Sequence, residues 1–322
     1  MIKIAIIGFG TVGQGVAELL ARKRDEIEKK IGRFKVVAVA DLTGAMTGEF
    51  RLEEAIEHRR KGGLPEKKSA MEIAENEDYD VMIEVTTTRL DEEGIAYMKV
   101  ALERGASVIT SNKSIAVALM DLLRLAERKN VKLLYEATVG GAMPVIKLLN
   151  SYLAFCEIRS LKGILNGTCN YILTRMEEEG LPYNQVLSEA QEMGIAEANP
   201  TADVEGIDAA IKLVILANTI GYPAKFEDVK REGITKITPQ AFKVAMQKGY
   251  TIRLIAEASK KSLRVSPRLV KLNSLLAIKG TLNALMIQTD TAGEIFVAGR
   301  GAGKYETASA ILSDLYELYR DR

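Results

Sequence analysis

Residues 2–13, Ile2-Lys3-Ile4-Ala5-Ile6-Ile7-Gly8-Phe9-Gly10-Thr11-Val12-Gly13, decide the fold. The first half is a short β-rich apolar run, the second is a G-x-G-x-x-G turn, and a helical pattern follows from Gln14 to about Lys30. Strand, glycine turn and helix in that order open a dinucleotide-binding sheet, with a merely glycine-rich turn as the plainer alternative. Gly8 permits the tight turn, Gly10 lets the backbone approach a pyrophosphate, and Gly13 lets helix pack on strand. The helix start offers free N–H groups and its positive dipole end to the phosphates.

The next strand, 34–40, ends at Asp41, where an acidic residue hydrogen-bonds the adenine ribose 2′-OH. This favours NAD. NADP stays open, because Arg51, Arg59 or Lys61 could fold back to receive the extra phosphate. Further strands are expected at 80–86, 106–110 and 131–135, with helices at 92–103 and 115–129 between them. The alternation defines an α/β class with a Rossmann-type, doubly wound parallel sheet. Ligands of such sheets bind beyond the carboxyl ends of the strands, which places Thr86, Thr87 and the Ser111-Asn112-Lys113 turn beside the cofactor. The threonines read equally well as a polar loop; Lys113 follows a strand end that should face the nicotinamide.

At 322 residues the chain has room for two lobes. A hydrophobic share of 47% and a charged share of 27% are ordinary for a soluble globular enzyme. The net charge of +1 offers nucleic acid no general footing, and the basic run 58–61 reads as a solvated face, its His58 included. No apolar stretch reaches the about 18 residues that span a bilayer, and no signal pattern opens the chain, so the expected compartment is cytoplasmic. Cys156 and Cys169 are too few for a disulfide framework, and no Cys/His spacing resembles a zinc site.

Residues 197–212, EANPTADVEGIDAAIK, crowd acids around one lysine. Val204, Ile207, Ile211, Val214 and Ile215 recur at helical spacing, which predicts one helix of about five turns after Pro200. Asp208 and Lys212 then stand at i and i+4, with Glu205 one turn earlier. Two readings compete: an exposed salt bridge, or a proton-carrying lysine among carboxylates that grip a substrate ammonium.

GFGTVG, TSNK, EATVGGAMP, GILNGTCNYILT, EAQEMGIAEANPTADVEGIDAAIKL and GRGAGKYETAS occur in an order and at spacings that resemble homoserine dehydrogenase over almost the whole chain. The resemblance implies reversible NAD(P)-dependent interconversion of L-aspartate 4-semialdehyde and L-homoserine, on the route to threonine, methionine and isoleucine. It implies a dinucleotide-binding domain over 1–135, joined by a C-terminal helix at 303–322, and an α/β dimerisation and catalytic domain over 136–302, in a homodimer. Carried over residue by residue, it makes Lys212 the general acid/base, with Lys113 close by and Asp208 orienting Lys212. Glu197 and Asp203 match substrate-binding positions, and Gly167 and Thr168 a substrate loop. Gly10, Thr11, Val12, Gly13, Thr86, Lys113 and Gly303 match cofactor contacts. Glu136, Val139 and Gly141, with Met143 adding a carbonyl, resemble a monovalent cation site, for sodium. The chain departs at Cys169, where a second threonine is common, and at Ala142-Met143, which replaces a Gly-Ile pair. Neither an ACT regulatory domain nor a fused aspartokinase is expected. Two alternatives are an aldehyde-oxidising relative of aspartate-semialdehyde dehydrogenase, needing Cys169 as a thiolate although its lobe holds no histidine, and an NAD-sensing protein without turnover.

Overall fold

β1 (Ile2–Ile7) lies inside a six-stranded sheet in the order β3-β2-β1-β4-β5-β6, completed by β2 (Phe34–Asp41), β3 (Gly44–Thr47), β4 (Val81–Glu84), β5 (Ser107–Thr110) and β6 (Leu133–Leu134). The structure, a computed structural model, describes residues 1–320. Ile4, Ala5, Ile6 and Ile7 are 0% exposed, as a strand covered on both faces requires. β1 pairs in parallel with β2 and β4, β4 with β5, and β5 with β6, whereas β3 adds an antiparallel edge that the sequence pattern does not announce.

The helices of this unit are α1 (Thr11–Arg22), α2 (Arg24–Ile31), α3 (Leu52–Arg60), α4 (Ala70–Asn76), α5 (Ala96–Glu103) and α6 (Leu119–Arg128). The single helix expected from Gln14 to about Lys30 is thus two. Lys23 leaves helical geometry at φ −107°, and the turn sets the Arg24 guanidinium 4.6 Å from the Phe34 ring centre. The helix expected at 115–129 starts as a 3₁₀ turn, Lys113–Val117, before α6.

The second sheet runs β12-β11-β7-β9-β10-β8, from β7 (Ile158–Ile164), β8 (Lys230–Arg231), β9 (Tyr250–Ser259), β10 (Ser262–Lys271), β11 (Leu282–Thr289) and β12 (Glu294–Arg300). It is antiparallel apart from the short β8–β10 pair. Its helices are the single turn α7 (Val145–Lys147), α8 (Gly167–Glu179), α9 (Tyr183–Glu192), α10 (Thr201–Val204), α11 (Ile207–Thr219) and α12 (Pro239–Gln247). Fully buried Arg253 on β9 donates to Glu177 of α8 at 2.6 Å and to Ile278 O at 2.9 Å, which ties α8 to the sheet.

The continuous helix expected after Pro200 is broken. Gly206 takes a left-handed φ of 71°, open to glycine at little cost, and separates α10 from α11. Glu205 therefore leaves the stripe of Asp208 and Lys212 and meets Thr235 Oγ1 at 3.4 Å. A last helix, α13 (Lys304–Tyr319), packs on α1. The compact units are Met1–Ala142 together with the segment from Gly303, and Met143–Ala302. Of the expected helix 303–322, residues 321 and 322 lie outside the described residues.

Candidate functional site

In the first unit the glycine turn leaves β1 at Gly8, whose φ is 96°. A Cβ on Gly8 would lie 2.6 Å from Val85 O, and one on Gly13 only 2.1 Å from Gly8 O, so both positions are closed to any side chain. Gly10 is the opposite case: nothing lies within 4 Å of where its Cβ would be. That open side of the loop, at the N-terminus of α1, is a cradle a pyrophosphate can enter. Thr11 and Val12 begin α1, and Gln14 Nε2 pins the loop by donating to Phe9 O at 3.1 Å. Gly15, passed over in the sequence reading, lets α13 approach: its Cβ would meet Lys304 Cγ at 2.8 Å.

Asp41 ends β2 with its carboxylate engaged. Oδ1 accepts from Thr43 N at 2.7 Å and Thr43 Oγ1 at 2.5 Å, and Oδ2 from Arg59 Nε at 2.5 Å. Of the three basic residues considered for a 2′-phosphate, Arg59 is the one drawn onto Asp41. Beyond β4, Thr86 is half-buried and donates from N and Oγ1 to Glu84 Oε1, while Thr87 is exposed. Lys113 is half-buried and opens the 3₁₀ turn. Gly303, at φ 142°, caps α13. Glu136 is 3% exposed and Val139 fully buried, and the consecutive glycines Gly140 and Gly141 take φ of 87° and 56°. In the second unit, Met143 O accepts from Val145 N at 2.9 Å.

The second unit gathers most of the acidic block. Lys212 sits on the buried face of α11, 8% exposed, where Nζ lies 2.7 Å from Asp208 Oδ2 and donates to Leu165 O at 2.8 Å. Asn166, which the sequence reading left without a role, is the N-cap of α8. Its Oδ1 accepts from Cys169 N at 2.9 Å, and its Nδ2 donates to Asp203 Oδ1 at 2.6 Å and Asp208 Oδ2 at 3.0 Å. Burial pushes the Asp203 carboxyl up from its usual range, with Asp208 adding to the effect and the Asn166 hydrogen bond opposing it. Gly167 and Thr168 start α8, and Thr168 Oγ1 donates to Ile195 O at 3.2 Å. A Cβ on Gly167 would strike Thr281 O at 2.6 Å. Glu197 stands apart: its backbone is held by Gln191 Nε2 at 3.0 Å, but its side chain is exposed. Cys169 is buried, its thiol donates to Asp203 O at 3.1 Å, and burial raises that thiol well above its usual value, which disqualifies it as a thiolate nucleophile.

A lysine held by one carboxylate and one carbonyl can pass a proton to or from a small polar substrate, while a glycine cradle on a parallel sheet binds a dinucleotide. Together they define an NAD(P)-dependent oxidoreductase. A family model described as homoserine dehydrogenase matches residues 144–316, and one described as homoserine dehydrogenase, NAD binding domain, matches residues 8–136. The homoserine dehydrogenase of Methanocaldococcus jannaschii is 46% identical over 98% of both chains. That of Neisseria gonorrhoeae is 36% identical, with 99% of this chain covering 72% of it. A solved structure from Archaeoglobus fulgidus, provisionally named as a homoserine dehydrogenase, superposes with a TM-score of 0.96 at 64% identity over 99% of both chains. A hyperthermophilic archaeal homoserine dehydrogenase in complex with NADPH does so with a TM-score of 0.87 at 31% identity, covering 100% of this chain and 98% of that one. The chain belongs to the homoserine dehydrogenase family.

Proposed function

We propose that Lys212 carries the proton in the interconversion of L-homoserine and L-aspartate 4-semialdehyde. The observation behind this is the double anchoring of its amine. An ammonium has three N–H bonds, and Asp208 and Leu165 O take two, leaving the third for the substrate oxygen. In the reductive direction that N–H protonates the aldehyde oxygen; in the oxidative direction the neutral amine receives the hydroxyl proton. Bound NAD(P) would supply or accept the hydride at the carbon that bears this oxygen. Asp203 binds the substrate's amino or hydroxyl group, with Glu197 joining it only if its exposed side chain turns in from where it stands apart, while Asp208 orients Lys212, and Gly167 and Thr168 border the substrate.

NAD is the proposed preferred cofactor, held by the loop 8–13 with Asp41 at the ribose, Thr86, Thr87 and Lys113 beyond the strands, and Gly303 at the start of α13. The Arg59 guanidinium beside Asp41 supplies the positive charge through which NADP is also accepted. A sodium ion is proposed at the oxygen set of Glu136 and the carbonyls of Val139 and Gly141. The protein is proposed to be a cytoplasmic homodimer; among the described residues no helix is long and apolar enough to cross a membrane.

The test is nicotinamide absorbance with L-homoserine and NAD or NADP, with and without sodium or potassium. Homoserine-dependent reduction of the nicotinamide is expected, faster with NAD. No change in absorbance with either cofactor would defeat the reading.

A further inference from the structure

Glu84 closes β4 and is 0% exposed. An unpaired carboxylate at that depth is strongly disfavoured, so its surroundings should reveal what compensates it. All its hydrogen-bond partners are neutral. Oε1 accepts from Thr86 N at 2.9 Å, from Thr86 Oγ1, and from Asn112 Nδ2 at 3.3 Å, while Oε2 lies 2.9 Å from Thr110 Oγ1. The Thr110 hydroxyl is the informative partner. It lies 2.9 Å from the main-chain carbonyl of Glu84 as well as 2.9 Å from Oε2, and it already accepts from Asn112 N at 2.9 Å. A hydroxyl has one proton to donate. One proton serves two acceptors here, so either Thr110 splits a bifurcated bond between the carbonyl and Oε2, or it donates to the carbonyl while Oε2 carries a proton of its own, donated to Thr110; the second arrangement gives each contact a full hydrogen bond. Burial acts in the same direction, raising the carboxyl against the pull of the surrounding donors.

We propose that Glu84 is held as a neutral carboxylic acid and acts as a positioning residue, its hydrogen bonds to Asn112 and Thr86 fixing the turn that carries Lys113. The connection runs through short contacts. Asn112 Oδ1 accepts from Ser114 N at 2.9 Å and from Ser114 Oγ at 2.6 Å, and Ser114 Oγ accepts in turn from Arg89 N at 2.8 Å. Asn112 Nδ2 also reaches Thr86 Oγ1 at 3.1 Å and Gly94 O at 3.4 Å. Lys113 is thus flanked on both sides by residues locked in one buried network, in a 3₁₀ turn whose own hydrogen bonds hold it weakly. A neutral acid suits the place because it both donates and accepts, and a carboxylate only accepts. The proposal rests on the reading that puts Lys113 and Thr86 beside the nicotinamide.

The decisive experiment combines infrared spectroscopy with kinetics on the full-length protein. The difference spectrum between wild type and Glu84→Gln at neutral pH should show the C=O stretch of a protonated carboxylic acid; its absence overturns the neutral-acid assignment without reference to turnover. Glu84→Ala should lower kcat at least ~10-fold with KM for the cofactor moved less, and Glu84→Gln, which restores one donor and one acceptor, should recover kcat to within about 2-fold. A Glu84→Gln loss as deep as that of Glu84→Ala would mean the charge is used and defeats the proposal. So would a Glu84→Ala protein that melts earlier yet keeps its kcat well below its Tm, since Glu84 would then only support the fold. Lys113→Ala in the same assay separates the two layers: full activity there, with the infrared band still present, refutes the placing of Lys113 rather than the protonation of Glu84.

Discussion

Replacing Lys212 by alanine removes the amine held between Asp208 Oδ2, at 2.7 Å, and Leu165 O, at 2.8 Å. Two costs follow, and they are separable. Asp208 loses its cation but keeps the Asn166 Nδ2 bond at 3.0 Å, and its side chain is 15% exposed against 10% for Lys212. The stability loss should therefore be about 1–3 kcal/mol, below the 3–5 typical of breaking a fully buried pair. The catalytic loss is that of a positioned acid/base, a factor of at least ~100 in kcat, or about 2.7 kcal/mol at ~1.36 per decade. Stopped-flow or steady-state absorbance with L-homoserine at saturating cofactor measures the second, and thermal melting the first. Cofactor affinity, read by calorimetry because the chain has no tryptophan, should stay within about 2-fold, since binding is assigned to other residues. A small primary amine added to the variant should restore part of kcat in proportion to its concentration. Turnover within about 10-fold of wild type, or a cofactor affinity that falls in step with kcat, would refute the role given to Lys212.

Two glycines of the same turn should respond differently. Gly10→Ala, with nothing within 4 Å of the new methyl, should keep its Tm and lose cofactor affinity, whereas Gly13→Ala, whose Cβ would lie 2.1 Å from Gly8 O, should lose both; equal melting of the two would contradict the packing described. Arg59→Ala removes the cation beside Asp41 and should shift the ratio of kcat/KM toward NAD over NADP by at least ~5-fold, and an unchanged ratio would exclude Arg59 from cofactor choice. Asp203→Asn tests the raised carboxyl. An acid whose folded value exceeds its unfolded one, near about 3.9, binds the proton more tightly when folded, so ionising it destabilises the protein as pH rises. The variant should therefore gain Tm relative to wild type at neutral pH and lose that advantage below about pH 4; a pH-independent difference would show that the Asp203 carboxyl is not raised.

The elements legible in the sequence are those whose cause is local. The apolar run 2–7, the three glycines and the alternation of strands with helices state the first sheet without help from distant residues. The apolar period of 201–219, by contrast, continues across Gly206 as though the helix were unbroken, and only the glycine's positive φ stops it. Asn166 and Glu84 were hidden for a related reason. Asn166 is a recognisable helix cap, but its bond to Asp208 spans 42 positions, and Glu84 reads as one polar residue in an apolar strand until Thr110 and Asn112, 26 and 28 positions on, are folded beside it. Periodicity reports which face is buried; it does not report which buried polar groups will meet.

The return of α13 to the first unit has a consequence for how the protein is made. Ala308, Ile311 and Leu315 belong to the same buried cluster as Val16 and Leu20 of α1, and Asp314 Oδ2 accepts from Glu136 N at 3.0 Å across 178 positions. A ribosome that has finished residues 1–142 has therefore built a sheet with one wall missing, and it must synthesise the whole of 143–302 before that wall arrives. During that interval the apolar flank of α1 stands open to water or to a chaperone. The first unit can be completed only after the second has been synthesised, although most of it precedes the second in the chain.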